Sequence, residues 1–176
     1  TMIDRYYMIT EEQASIRELV HDFCEKELRP VVKECDELGR FPMEVYQKLC
    51  GLGIQGMFIP EEYGGLGFDT KTICIIREEI GKVDPGFCIG LGSSGLAFTP
   101  VKLAGTPEQV RLFAEQIMDG KLAGYCLTEA DGGSDAGHPR TTAKRVGKDW
   151  VITGSKAFIT NGPIASIYTV FASTDK

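Results

Sequence analysis

Apolar positions follow two periods along the 176-residue chain, and the change of period divides it. From the start to about residue 120 the period is helical. Ile16, Leu19, Val20, Phe23 and Cys24, then Leu28, Val31, Cys35 and Leu38, recur every three or four positions, a spacing that gathers side chains on one helix face. Thr10 with Gln13 has the capping-box pattern, in which hydroxyl and amide each satisfy the other residue's backbone N–H. Pro30 predicts a kink or break, because it lacks a donor and crowds the preceding turn. Gly39 is a natural stop, and Pro42 opens a second, short helix through about Cys50. Residues 54–59 are apolar, bounded by Gly53 and Pro60, and a glycine-rich loop follows. Asp69 or Thr70 caps a third helix, with Ile73, Ile76 and Ile80 on one face. Pro85 opens a fourth, running to about Leu103. Thr106, Pro107 and Gln109 start a fifth, to about Met118, with Val110, Phe113 and Ile117 inward.

After Gly120 the pattern shortens. Segments 122–128, 140–147, 149–153, 156–160 and 165–172 are rich in Val, Ile, Thr and aromatics, and Gly147-Lys148, Gly154-Ser155 and Asn161-Gly162-Pro163 separate them as turns. These read as strands. The fold class expected is α+β: an all-helical domain over 1–120, then a partial antiparallel β-domain over 121–176. About 55 residues are few for a complete sandwich, so the reading expects a truncated chain or a missing partner. Trp150 is expected to pack the β core.

Composition narrows the function classes. With 43% hydrophobic and 25% charged residues the chain is globular rather than disordered. A net charge of −6 leaves no basic surplus for neutralising phosphates, which argues against nucleic acid as a partner. No unbroken apolar run of about 18 residues occurs, so no membrane span is expected, and the first ten residues show no secretion or transit pattern. Cys24, Cys35, Cys50, Cys74, Cys88 and Cys126 form no C-x-x-C pair, and only His21 and His138 add imidazoles. No metal site is expected. Reduced core thiols fit a cytoplasmic setting, or the mitochondrial matrix in a eukaryote.

The segment most suggestive of chemistry is Tyr125-Cys126-Leu127-Thr128-Glu129-Ala130-Asp131-Gly132-Gly133-Ser134-Asp135-Ala136-Gly137. A strand ending in a hydroxyl runs into Gly, Ser and Asp. Such a loop lets a backbone approach a ligand closely, and its N–H groups can face an anion. It is equally readable as a tight turn in which Asp135 satisfies its own backbone.

This segment resembles the signature of the acyl-CoA dehydrogenase family, which reads small-aliphatic-Ser/Thr-Glu-x-x-small-Gly-Ser/Thr-Asp. The family commonly has Pro-Gly where this chain has Ala130-Asp131. Pro60-Glu61-Glu62-Tyr63-Gly64-Gly65-Leu66-Gly67, Gly154-Ser155-Lys156-Ala157-Phe158-Ile159-Thr160-Asn161-Gly162 and the helix start at Thr106 agree with the same family, in the same order. The resemblance implies a flavoenzyme of three parts, with FAD held between a middle β-domain and a C-terminal helical bundle. It implies cofactor contacts by Tyr125, Leu127, Thr128, Gly133, Ser134, Phe158, Ile159 and Thr160, with Ser134 also meeting the acyl-CoA substrate. It implies α,β-dehydrogenation of an acyl-CoA thioester, reoxidation by an electron-transferring flavoprotein, and a homo-oligomer at full length. The catalytic base belongs to the bundle, so no residue here takes that role, and Glu129 is expected to be a structural acceptor. Without the bundle this chain is expected to lack turnover. The competing expectation is a non-catalytic flavin or acyl-CoA binding module that needs a second polypeptide. An oxidase or monooxygenase on the same loops is a third.

Outside these motifs, Gly86, Gly90, Gly92 and Gly95 crowd one predicted helix. Each interior glycine costs about 1 kcal/mol against alanine, so either close packing or room for an acyl chain is expected there. His138 is expected to be a solvated loop histidine, and the charges of 25–37 a solvated helix face.

Overall fold

The computed structural model describes residues 8–174. The chain forms two compact units, Thr1–Gly92 and Ser93–Lys176. Among the described residues the α-helices are α1 (Glu11–Phe23), α2 (Arg29–Glu37), α3 (Met43–Cys50), α4 (Thr70–Val83), α5 (Pro85–Ala104) and α6 (Pro107–Met118). The strands among the same residues are β1 (Ala123–Cys126), β2 (Thr142–Val146), β3 (Asp149–Thr153) and β4 (Ile167–Val170). The expected order of helices first and strands after is borne out.

In the first unit the local signals act as anticipated. Thr10 Oγ1 accepts from Gln13 N at 3.1 Å, and Gln13 Oε1 accepts from Thr10 N at 3.2 Å. Gln13 Nε2 then donates to Thr72 Oγ1 at 3.0 Å, tying α1 to α4. Ahead of Pro30 the helix widens into a π-turn, Cys24–Leu28, with Arg29 N–H reaching back to Cys24 O. The wider turn accommodates a residue that cannot donate and whose ring presses on the carbonyl four positions before it. Val20, Cys24, Leu28, Tyr46, Leu49, Ile76, Ile80, Phe87 and Leu91 fill the core, and Phe41 stacks on Phe87 with centroids 5.3 Å apart. Leu19 and Leu38 share the apolar period yet stay exposed. A Cβ at Gly92 would lie 2.6 Å from Arg77 Nη2, the far end of a flexible side chain that can move aside.

All six cysteines are free thiols. Four are buried, Cys50 is half-buried, and Cys74 is exposed, contrary to a uniform core placement. Burial first, then the neighbouring Glu79 carboxylate, pushes the Cys24 thiol up to about 12, so it packs as an inert apolar group.

α5 carries residues of both units: Phe87 and Leu91 are buried in the first, Ala97 and Phe98 in the second. By length and composition alone this helix could cross a membrane, although 44% of the qualifying window is buried. A search for an unbroken apolar run passes over it because glycines, serines and a threonine interrupt it. Phe87, Leu91, Ala97 and Phe98 on it pack inside the fold, while Ile89, Leu96 and Leu103 are exposed.

In the second unit, Thr106 and Gln109 cap α6 reciprocally and Pro107 occupies its first turn. Val110, Phe113 and Ile117 point inward, with Phe113 against Phe98 at 5.9 Å. β2 and β3 form the expected antiparallel hairpin, with Val146 opposite Asp149 across Gly147-Lys148. β1 pairs instead with β4, and in parallel, with Ala123 opposite Ile167 and Cys126 opposite Val170. Antiparallel pairing therefore describes only half of the strands. Residues 156–160 are not a strand: Phe158 at φ +56° and Asn161 at φ +64° turn the chain out of any ladder. Trp150 is 54% exposed, so it does not pack a β core as expected, and Val151 and Ile152 beside it are exposed too.

Candidate functional site

β1 leads into the candidate site, and its position is set by α5 and β4. Ser94 Oγ accepts from Ala123 N at 3.0 Å, and Thr169 Oγ1 donates to the Ala97 carbonyl at 2.6 Å. Gly124 lies directly opposite Tyr168. A Cβ at Gly124 would sit 2.7 Å from the Tyr168 ring and 3.5 Å from Ile159 Cγ2. The missing side chain thus seats both residues. The Tyr168 hydroxyl lies 2.8 Å from Gly162 O and 2.9 Å from Ala165 O, so it holds the 159–165 loop against β1. Tyr125 meets Phe171 edge to face at 5.1 Å.

Beyond β1 the chain enters a tight turn. Glu129 N donates to Gly132 O at 2.9 Å and Gly132 N returns to Glu129 O at 3.2 Å. Ala130 and Asp131 stand at its centre, and neither adopts positive φ. Pro-Gly would favour a type II turn with glycine at positive φ; Ala-Asp closes the turn without it. The Asp131 carboxylate meets Arg140 Nη1 at 2.7 Å, and Asp135 meets His138 Nδ1 at 2.8 Å. His138 is exposed, as a solvated loop histidine should be.

Glu129 is the acceptor the sequence suggested. Its Oε1 takes Lys156 Nζ at 2.7 Å and Thr141 N at 2.9 Å, and its Oε2 takes Arg140 N at 2.6 Å. The Lys156 ammonium foremost, with the Thr141 and Arg140 amides, holds this carboxyl far below the usual carboxylate range. It is an anion at any working pH and a very weak base.

Two segments far apart in sequence meet here. Ala157 N donates to Thr128 O at 2.9 Å, and Lys156 Nζ donates to Leu127 O at 3.0 Å. Gly133 is beside Thr128: a Cβ on it would reach Thr128 Cγ2 at 3.8 Å. Phe158, the next residue after Ala157, is 94% exposed and held at φ +56°. Such a backbone state costs about 1–3 kcal/mol in a bulky residue and is a signal of function. Leu127, Thr128, Ile159 and Thr160 are half-exposed, while Gly133 and Ser134 are exposed. No hydrogen bond joins Thr160 or Ser134 directly to Thr128 among the described residues. A cavity of about 170 Å³ opens beside the turn, but of the expected residues it includes only Leu127. The larger hollow, about 600 Å³ between α2 and the Phe41–Phe87 stack, includes none. Among the described residues no cluster of three metal-ligating side chains occurs.

Sequence reasoning missed three positioning residues. Lys156 looked like an ordinary motif lysine; a lysine between strand-like apolar residues was the available signal. Asn161, buried at positive φ, donates through Nδ2 to Ala123 O at 3.1 Å, and its pairing with Gly162 marked only a turn. Tyr168 gave no local signal.

The chain matches the family model for the acyl-CoA dehydrogenase N-terminal domain over residues 10–121. It matches the model for the acyl-CoA dehydrogenase middle domain over 124–176. It is 39% identical over 168 residues to a 3-(aryl)acrylate reductase of Clostridium sporogenes, covering 94% of this chain and 45% of that protein. It is 38% identical over 173 residues to a short-chain-specific acyl-CoA dehydrogenase of Clostridium acetobutylicum, covering 97% and 45%. The structure of butyryl-CoA dehydrogenase from Megasphaera elsdenii superposes with a TM-score of 0.87 at 39% identity, over 96% of this chain and 45% of that one. A glutaryl-CoA dehydrogenase from Mycobacterium smegmatis in complex with FADH2 gives 0.90 at 29% identity, over 99% and 45%. The chain therefore spans about half the length of the relatives it matches. With both domain models matched in order, the chain belongs to the acyl-CoA dehydrogenase family.

Proposed function

We propose that this chain supplies the flavin-facing surface of an FAD-dependent enzyme that α,β-dehydrogenates an acyl-CoA thioester. In this reading residues 1–120 are the helical domain and 121–176 belong to the flavin-binding β-domain. The observation that carries it is the joining of the 127–134 and 156–160 segments through Ala157 N–H and the Thr128 carbonyl.

Two further features fit the cofactor. A Cβ at Gly133 would make only ordinary contact, and one at Gly137 would meet nothing within 4 Å. Nothing inside the fold demands glycine at either position, whereas close approach of a diphosphate to the backbone does. Phe158, exposed and strained, offers a ring for a flat aromatic partner to cover.

Tyr125, Leu127 and Thr128 then face the ring system, with the Thr128 hydroxyl donating at its pyrimidine edge. Gly133 and Ser134 hold the diphosphate, and Ser134 also meets the acyl-CoA. Phe158, Ile159 and Thr160 form the second wall, with the Thr160 hydroxyl donating near N5. FAD, when bound, supplies the hydride acceptor. Hydroxyl donors at these edges stabilise the negative charge that builds during reduction. Glu129 does not abstract the α proton, because its carboxylate is committed to Lys156 and two amides. The base is assigned outside this chain, in a C-terminal bundle. An electron-transferring flavoprotein is the assigned acceptor; one structural neighbour at 38% identity is described as an electron transferring flavoprotein of Acidaminococcus fermentans. Free thiols favour a reducing, cytoplasmic compartment, and the complete protein is assigned as a homo-oligomer.

Titrating FAD into the protein and following flavin fluorescence tests the reading. Saturable binding that weakens on Thr128→Ala is expected. Absence of saturable binding, or binding indifferent to Thr128, overturns it.

A further inference from the structure

We infer that Lys156 is a positioning residue for the cofactor: it holds both flavin-facing segments in one geometry and aims the Thr128 amide at the ring system. The inference rests on the flavin reading above and adds to it a residue that touches neither cofactor nor substrate.

The Lys156 and Glu129 side chains are each only 9% exposed. An ammonium so deeply placed needs partners for its donors, and two are present: Leu127 O at 3.0 Å and Glu129 Oε1 at 2.7 Å. Glu129 in turn binds the Arg140 and Thr141 amides, which begin the return towards β2. One ammonium–carboxylate pair thus joins the end of β1, the tight turn, the entry to β2 and the 156–160 segment.

The peptide geometry gives this pair a direction. All peptide bonds are trans among the described residues, and in a trans peptide the C=O and N–H point opposite ways. With the Leu127 carbonyl drawn to Lys156, the Thr128 N–H points away from it. The next peptide is fixed as well: the Thr128 carbonyl accepts from Ala157 N, and Glu129 N–H turns to Gly132 O. Two successive peptide planes are therefore fixed by hydrogen bonds within the fold. The Thr128 N–H, with the hydroxyl beside it, is left for a ligand. Its donors reach that ligand without reorganising, which is where a preoriented polar group gains over a mobile one.

Lys156 Nζ serves both the Leu127 carbonyl and the Glu129 carboxylate. Lys156→Met keeps the aliphatic stem and removes the donors, leaving Glu129 its two amides. Lys156→Arg restores donors for both oxygens. FAD titrations of the wild type and both variants, paired with thermal melts, test the inference. Lys156→Met should melt cooperatively and bind FAD about tenfold or more weakly, the loss expected from one misdirected donor. Lys156→Arg should recover most of that affinity. If the methionine variant does not fold, the arginine variant against Glu129→Gln reads the same effect, with glutamine the weaker binder. Equal FAD affinity in wild type and Lys156→Met overturns the inference and leaves the flavin reading standing. Weakened binding that Arg fails to restore, in a protein that melts like the wild type, overturns it as well. A wild type that does not bind FAD overturns the flavin reading, and this inference with it.

Discussion

Asn161 gives the sharpest test of how the second loop is held. It is buried, sits at φ +64°, and donates to Ala123 O at 3.1 Å. Asn161→Ala removes that hydrogen bond, worth about 1 kcal/mol net. It also places a Cβ-bearing residue without asparagine's local compensation in the left-handed region, at about 1 kcal/mol more. Asn161→Gly removes the same bond but tolerates the backbone, with part of that gain offset by the extra freedom of the unfolded chain. The alanine variant should therefore lose about 2 kcal/mol and the glycine variant about 1, read as urea midpoints at unchanged slope. Because the loop ahead of Asn161 bears Phe158 and Thr160, FAD affinity should fall in the same order. Alanine and glycine variants of equal stability would refute the backbone argument. A loss below about 0.5 kcal/mol in both would refute the role of the hydrogen bond.

Glu129 has its folded-state pKa depressed from an ordinary 4.5, so its contribution to stability is present above that value and is lost as pH falls below it. Urea midpoints from pH 7 down to pH 3 should show this loss, with a flatter acid limb in Glu129→Gln. Gly65 and Gly133 should behave oppositely. A Cβ at Gly65 would overlap the Ile59 carbonyl oxygen, so Gly65→Ala should cost about 2–3 kcal/mol in denaturant melts. Gly133→Ala should leave stability within about 0.5 kcal/mol while weakening FAD. Thr106→Ala should cost about 1 kcal/mol through loss of the α6 cap, seen as a lowered melting temperature.

The legible parts of this fold are local. The Thr106-Pro107-Glu108-Gln109 run carries its whole cap within four residues, so α6 could be read to its first residue. Pro30 announced an interruption, though not that a π-turn would absorb it. The parallel pairing of β1 with β4 joins segments more than forty positions apart, and no periodicity within either strand encodes its partner. Trp150 was misjudged for a related reason: alternation marks a strand but does not say whether anything covers its faces. The site divides along the same line. Glu129 could be read as an acceptor from its place in the loop, whereas Lys156, Asn161 and Tyr168 act on residues between three and thirty-eight positions away. Phe158 was legible as an aromatic in a motif, but its positive φ required the fold.

Amide chemical shifts of the isotope-labelled chain, recorded while FAD is added, test the central claim most directly. The account predicts that amides of 127–128, 133–134 and 158–160 shift together along one binding curve, with the 12–80 helical core unmoved. Shifts confined to one of the two loops, or centred on the hollow beside Phe41 and Phe87, would contradict it.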